Sequence, residues 1–398
     1  MKSRNSLVAL LILLLLSSTC AQPKVKLGND VLVEKHLDML KGKRVGLIIN
    51  HTAQLSSGKF LVDELMEKKI NVVALFGPEH GVRGEAQAGD TIKDGRDAKT
   101  GIPIFSLYGA TRKPSPEMLT NVDVLVYDVQ DVGARFYTYI STMGLCMEAA
   151  AAKGIPFIVL DRPNPLGGQF VDGPIIEDSL TSFVGMYPIP VAYGLTCGEL
   201  ATMINNERWL ESNAKCSLTV MKMEGWKRRM VWDDTGLRWI PPSPNIKTSE
   251  AALLYQAMCL VEATNLSEGR GTEKPFQYIG APFVNGDSLS SRLTTIRLAG
   301  VKFTPISFTP NLSKHRGELC RGVFVELSMK SPVPLATGIS LLQQLLDAYP
   351  TQVTVSRSWL AKLVGTTKSY DDLMARRSPM FAQAVARFRK LSKKYWLY

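Results

Sequence analysis

The chain has 398 residues, with 47 Lys and Arg against 36 Asp and Glu, and a formal net charge of +11 at pH 7. That length exceeds one compact domain and excludes a small scaffold held by metals or staples, so two lobes are expected. The charge favours anionic partners. Its basic residues are spread out, however, apart from Lys227-Arg228-Arg229 and the 387–394 region, and they lack the interleaved aromatics of a nucleic-acid surface.

Residues 1–21 read as a targeting segment. Lys2 and Arg4 begin it, residues 7–16 are an unbroken apolar run, and Ser17-Ser18-Thr19 follow. The run is shorter than the roughly 20 residues of a bilayer span, so no permanent membrane span is expected. Cleavage after Ala21 exports the protein to the periplasm or beyond, and Cys20 offers the alternative of a lipidated first residue. Five cysteines then remain, with no CxxC pair and no zinc spacing. Buried free thiols are expected, with one disulfide as the alternative in an oxidising compartment.

Residues 22–182 alternate strand and helix. Strands are expected at 44–49, 72–76, 102–107, 122–127 and 156–160, where β-branched and aromatic residues cluster. Helices are expected at 57–69, after Ser115-Pro116-Glu117, and at 139–153, which ends at Gly154. Repeated βαβ units imply a Rossmann-like parallel sheet with helices on both faces.

Four of these strands hand over to polar residues at their carboxyl ends, the edge where such sheets bind ligands. The first gives Asn50-His51-Thr52. The second gives Phe76-Gly77-Pro78-Glu79-His80-Gly81, with Arg83 close behind. The third gives Asp128-Val129-Gln130-Asp131-Val132-Gly133-Ala134-Arg135, then Tyr137 and Tyr139. The fourth gives Asp161-Arg162-Pro163-Asn164-Pro165-Leu166-Gly167-Gly168. No GxGxxG follows a strand, and no phosphate loop, GxSxG elbow or HExxH motif occurs. Hydride transfer, nucleotide hydrolysis and serine esterase chemistry therefore rank low, and neither a cofactor nor a metal is expected.

Residues 183–398 read as a second, α+β auxiliary lobe. Thr196 is a plausible N-cap. Trp239-Ile240-Pro241-Pro242-Ser243-Pro244-Asn245 is too proline-rich for a central strand and reads either as a rigid loop or as a cleft wall. The polar stretch from Glu262 through Glu268-Gly269-Arg270-Gly271-Thr272 is the second lobe's expected contribution to the cleft. Strands at 293–298 and 322–327 and helices at 337–348 and 381–391 complete it.

The Phe76, Tyr127–Tyr139 and Asp161–Gly168 motifs, with Pro242-Ser243-Pro244-Asn245 and Glu268-Gly269-Arg270-Gly271-Thr272, resemble the exo-acting β-N-acetylmuramidases of bacterial cell-wall turnover. That family was long catalogued as a domain of unknown function. The resemblance covers essentially the whole mature chain. It implies an active site between the two lobes, release of terminal N-acetylmuramic acid from the non-reducing end of peptidoglycan fragments, and Glu79 as principal catalytic residue. Tyr193 stands where relatives often carry histidine.

The chemistry agrees. Glycoside cleavage uses an acid on the leaving oxygen and a second group that assists attack at the anomeric carbon. Glu79 suits the first role, and Asp128, Asp131 and Glu268 compete for the second. Arg83, Arg135 or Arg270 can pair with the lactyl carboxylate of muramic acid. Tyr137 and Tyr139 can support the sugar, facing one side if the segment is extended. Asn50, His51, His80 and Asn164 complete the expected substrate-binding set. The alternative is an exported protein that captures wall fragments without cleaving them.

Overall fold

The computed structural model describes residues 24–79, 81–83, 94–377 and 380–398. The expected leader and Cys20 lie outside them. Apolar runs, fully buried in β1 (Val45–Ile49) and buried except at Val73 in β2 (Val72–Gly77), form the centre of the first sheet. β3 (Gly95–Arg96), β4 (Pro103–Ser106), β5 (Val124–Asp128), β6 (Phe157–Leu160) and β7 (Leu218–Met221) complete it, in the order β3-β4-β2-β1-β5-β6-β7. All neighbours are parallel except β3 against β4. Renumbered alone, the six parallel strands run 3-2-1-4-5-6, the doubly wound order in which ligands bind where the winding reverses. The expected Rossmann-like sheet is present.

Alternate residues of each strand point to opposite faces. Val45, Leu47 and Ile49 face one core, with Leu32 of α1 (Gly28–Lys35) and Leu61 and Leu65 of α2 (Leu61–Glu67). Ile48, Phe76 and Tyr127 face the other, against Ile140 and Met143 of α3 (Tyr139–Lys153) and Leu200 of α4 (Cys197–Asn206). This second core runs on without a break into the C-terminal lobe. There α5 (Ser249–Met258) packs beside a three-stranded antiparallel sheet of β8 (Tyr278–Ala281), β9 (Val301–Phe308) and β10 (Cys320–Leu327), ordered β8-β10-β9. The lobe also carries α6 (Gly286–Thr295), α7 (Leu335–Ala348), α8 (Arg357–Val364), α9 (Ser369–Met374) and α10 (Ala382–Ser392).

Some expectations are corrected. Ser115-Pro116-Glu117 opens only a turn, because Leu119 bonds back to Ser115 and Pro116 and β5 starts five residues later. The strand expected at 293–298 is instead the end of α6 and the turn after it: Asn285 caps the helix by accepting from Ser288 N at 2.9 Å, and Leu289 and Leu293 are buried at helical spacing. The sixth parallel strand, β7, lies beyond residue 182, so the first sheet extends past the expected limit of the first lobe. Thr196 caps α4 as expected, reciprocated by Glu199. The five cysteines among the described residues are free and buried.

Candidate active site

Glu79 leaves the carboxyl edge of the sheet just after β2. The neighbouring strand β4 delivers Tyr108 and Arg112, and the segment after β5 delivers Tyr137 and Thr138 ahead of α3. Facing them are Ser243 and Asn245 of the proline-rich loop, Glu262, Arg270, and Lys362 of α8. These residues bound a cleft of about 560 Å³ between the lobes, within the range of small-molecule sites. The proline-rich loop is therefore a cleft wall.

The polar groups of this cleft act on one another. Thr138 Oγ1 donates to Glu79 Oε2 at 3.4 Å. Burial pushes the Tyr108 phenol up to about 12, helped by the adjacent Glu79 carboxylate and opposed by the Arg112 and Arg270 guanidiniums. Arg270 Nη2 donates to Glu262 Oε1 at 2.6 Å, and its guanidinium lies 5.0 Å from the centre of the Phe276 ring. Arg112 rests over Phe183 at 4.4 Å and makes no ion pair among the described residues. Two carboxylates, two guanidiniums and three phenols thus share one concave site.

The expected second catalytic groups lie elsewhere. Asp128 is fully buried, accepting from Arg162 Nε at 2.5 Å and from Asn29 Nδ2 at 3.0 Å. Burial raises its carboxyl despite the Arg162 charge. Asp131 accepts from Gly133 N at 2.6 Å and from the Tyr193 hydroxyl, and burial pushes it up to about 6. Glu268 sits behind Arg270, 3.2 Å from its Nε and 3.0 Å from Lys314 Nζ. None of these three lines the cleft.

Of the expected binding residues, Arg270 and Tyr137 line the cleft, and Tyr139 lies directly beneath. The two tyrosine rings meet edge to face at 4.8 Å. Because α3 begins at Tyr139, they are not side by side on an extended segment. Arg83 is held bidentately by Asp97, Nε at 2.6 Å and Nη2 at 2.9 Å. Arg135 is fully buried, donating to the carbonyls of Pro174, Ile189 and Leu363 at 2.9–3.0 Å, and burial pulls its guanidinium down to about 9. Asn164 donates to Leu195 O at 2.9 Å and packs on Gly133, whose φ of +80° and missing Cβ permit the approach. Asn50 supports Tyr139. His51 bonds Pro241 O through Nε2 at 2.6 Å, so its proton sits there, and burial lowers its pKa. His80 lies outside the described residues. Among the described residues, no cluster of His, Cys, Asp and Glu is placed to hold a metal, and no helix is long and apolar enough to cross a membrane.

A family model described as the N-terminal part of exo-β-N-acetylmuramidase NamZ matches residues 45–250, and its C-terminal counterpart matches 253–398. The chain belongs to the NamZ family. The peptidoglycan β-N-acetylmuramidase NamZ of Bacillus subtilis (strain 168) is 46% identical over 394 residues, covering 96% of this chain and 93% of that one. Two crystal structures of DUF1343 family proteins from Bacteroides fragilis NCTC 9343 share the fold. One has a TM-score of 0.86 at 40% identity and the other 0.77 at 34%, each covering 94% of this chain and 99% of its own.

Within this NamZ-family chain, Tyr108 and Arg112 escaped the sequence reading. The signal was present, because the expected strand at 102–107 runs straight into Tyr108-Gly109-Ala110-Thr111-Arg112. Polar residues beyond a strand's carboxyl end mark a ligand edge there as they do after β2.

Proposed function

We propose that the chain is an exo-lytic glycoside hydrolase that releases terminal N-acetylmuramic acid from the non-reducing end of peptidoglycan fragments, with Glu79 as its general acid. The position of Glu79 carries this reading. Its carboxylate opens into the cleft beside two hydroxyls, while Asp128, Asp131 and Glu268 are buried and paired elsewhere. An acid so placed can protonate a leaving glycosidic oxygen. Glu262, the other carboxylate on the cleft wall, stands available to assist attack at the anomeric carbon, oriented by Arg270.

Arg112 takes the lactyl carboxylate that distinguishes muramic acid from glucosamine. It borders the cleft and, among the described residues, has no carboxylate partner, whereas Arg83 is committed to Asp97 and Arg135 to backbone carbonyls. Export suits this reading, because the substrate lies outside the cytoplasm.

The decisive assay compares a chromogenic N-acetylmuramide with its N-acetylglucosaminide analogue. The wild type should cleave the first and spare the second. Arg112→Ala should raise KM for the muramide roughly tenfold or more, since a charge-assisted pair contributes about 1.5–3 kcal/mol. Equal turnover of both substrates overturns the specificity, and tight binding without turnover makes the protein a receptor.

A further inference from the structure

A second cavity of about 550 Å³ adjoins the reaction cleft. Two backbone stretches run from one cavity into the other. Ser243 and Asn245 line the first, and Pro244, Asn245 and Lys247 line the second. Likewise Arg270 lines the first, while Gly271 and Thr272 line the second. Lys247 Nζ donates to Thr272 O at 2.9 Å and ties the two stretches together. The cavities therefore share a wall, and Asn245 lines both.

The second cavity is built differently from the first. Tyr278 and Phe308 contribute an aromatic floor, their rings 5.6 Å apart and tilted by 35°. Phe324 meets Tyr278 edge-on at 5.2 Å and holds that ring in place. The Asn311 and Thr309 side chains supply neutral polar groups, and Lys247 and Glu273 also line the cavity. Gly271 shapes the wall. At φ +79° its chain passes so close to the 309–312 segment that a Cβ would lie 2.5 Å from Leu312 N. Asn311 N donates to Gly271 O at 2.9 Å and locks the contact.

The geometry points to a saccharide-binding site for the leaving side of the glycan. This inference rests on the reading proposed above. An enzyme that removes a terminal sugar holds only that sugar on the non-reducing side of the bond. The cavity that shares Asn245 with the reaction cleft is then placed to receive the chain beyond the leaving oxygen. An aromatic floor with polar groups around it suits a pyranose, whose faces present C–H groups and whose edges present hydroxyls. Binding energy gathered there, away from the reacting bond, can promote its cleavage.

The test uses Tyr278→Leu, which removes the flat ring while keeping bulk, and Asn311→Ala, an exposed change. Two measurements are made on each variant. The first compares a chromogenic muramide, which has no leaving-side sugar, with a muramic-acid-terminated tetrasaccharide. Each variant should lose roughly tenfold in kcat/KM on the tetrasaccharide and keep its rate on the chromogenic substrate. The second is calorimetric binding of a GlcNAc–MurNAc disaccharide, which should weaken to the same extent. Equal losses on both substrates, or unaltered disaccharide binding, overturn the assignment. A wild type that cleaves neither substrate overturns the hydrolase reading instead, and the disaccharide measurement still decides whether the second cavity binds sugar.

Discussion

The Tyr139 hydroxyl donates to the carbonyl oxygen of Pro242 at 2.7 Å, fastening the first turn of α3 to the proline-rich loop across the cleft. Asn50 Nδ2 donates to the same hydroxyl at 3.0 Å, and the Glu79 carbonyl oxygen lies 3.4 Å from it. One phenol thus joins the ends of β1 and β2 to the facing wall. It fixes the backbone from which Glu79 projects, so Tyr139 is a positioning residue.

Tyr139→Phe should lower kcat on a natural disaccharide with little change in KM. It leaves the Asn50 amide and the Pro242 carbonyl short of a partner, at a cost of about 1–3 kcal/mol in stability. Thermal melts and steady-state kinetics on the same preparation check both effects. A lower melting temperature with unchanged kcat would mean that the phenol merely supports the fold.

Glu79→Gln keeps the shape of the side chain and removes its acidity. General acid catalysis contributes about 10²–10⁴-fold, so a kcat loss of that order is expected on a disaccharide, with the circular dichroism unaltered. A nitrophenyl muramide, whose leaving group departs as a stable anion, should suffer less. Near-normal disaccharide turnover by this variant would remove Glu79 from the role.

Asp128→Ala should behave in the opposite way. It strips the buried Arg162 of its counter-charge, and breaking such a pair costs about 3–5 kcal/mol. Urea melts should shift strongly while kcat per folded molecule stays close to the wild type. A well-folded variant with kcat reduced a hundredfold would bring Asp128 back to the chemistry.

Asp131 gives stability a pH dependence of defined sign. Its folded-state pKa of about 6 lies above the ordinary carboxyl value of 3.8. The folded protein therefore holds the proton more tightly than the unfolded chain does. This contribution is fully present below pH 3.8 and is lost as pH rises through about 6. A rise of this size corresponds to roughly 3 kcal/mol. Asp131→Asn should remove that part of the slope, read as the difference between wild-type and variant melts across this window. Identical slopes would show that Asp131 does not titrate there.

The parallel sheet was legible because its strands are apolar runs punctuated by glycine, proline and polar residues. β7 was not, since four residues of moderate hydrophobicity after a long irregular stretch carry little periodic signal. Glu79 was legible for the abruptness with which polar residues follow β2. The same rule selected Asp128, Asp131 and Asn164, which turn away from the cleft. Their partners Arg162, Tyr193 and Leu195 lie 34, 62 and 31 positions along the chain, so only the fold reveals that their polarity is already satisfied. Arg135 misled for a similar reason. Its guanidinium is occupied by backbone carbonyls, and such partners leave no trace in side-chain composition.

Those carbonyls belong to both lobes: Pro174 and Ile189 follow the strands of the first, and Leu363 belongs to α8 of the second. Arg135 itself precedes α3 in the first lobe, so swinging the lobes apart like jaws would break its bond to Leu363 O and split a hydrophobic core that runs through both lobes. The molecule therefore behaves as a fixed die rather than a clamp. A glycan end is threaded into a mouth that already has its final shape, and the severed sugar backs out by the same opening. Small-angle scattering curves of the free and saccharide-loaded enzyme should superpose, and turnover has no closure step to wait for.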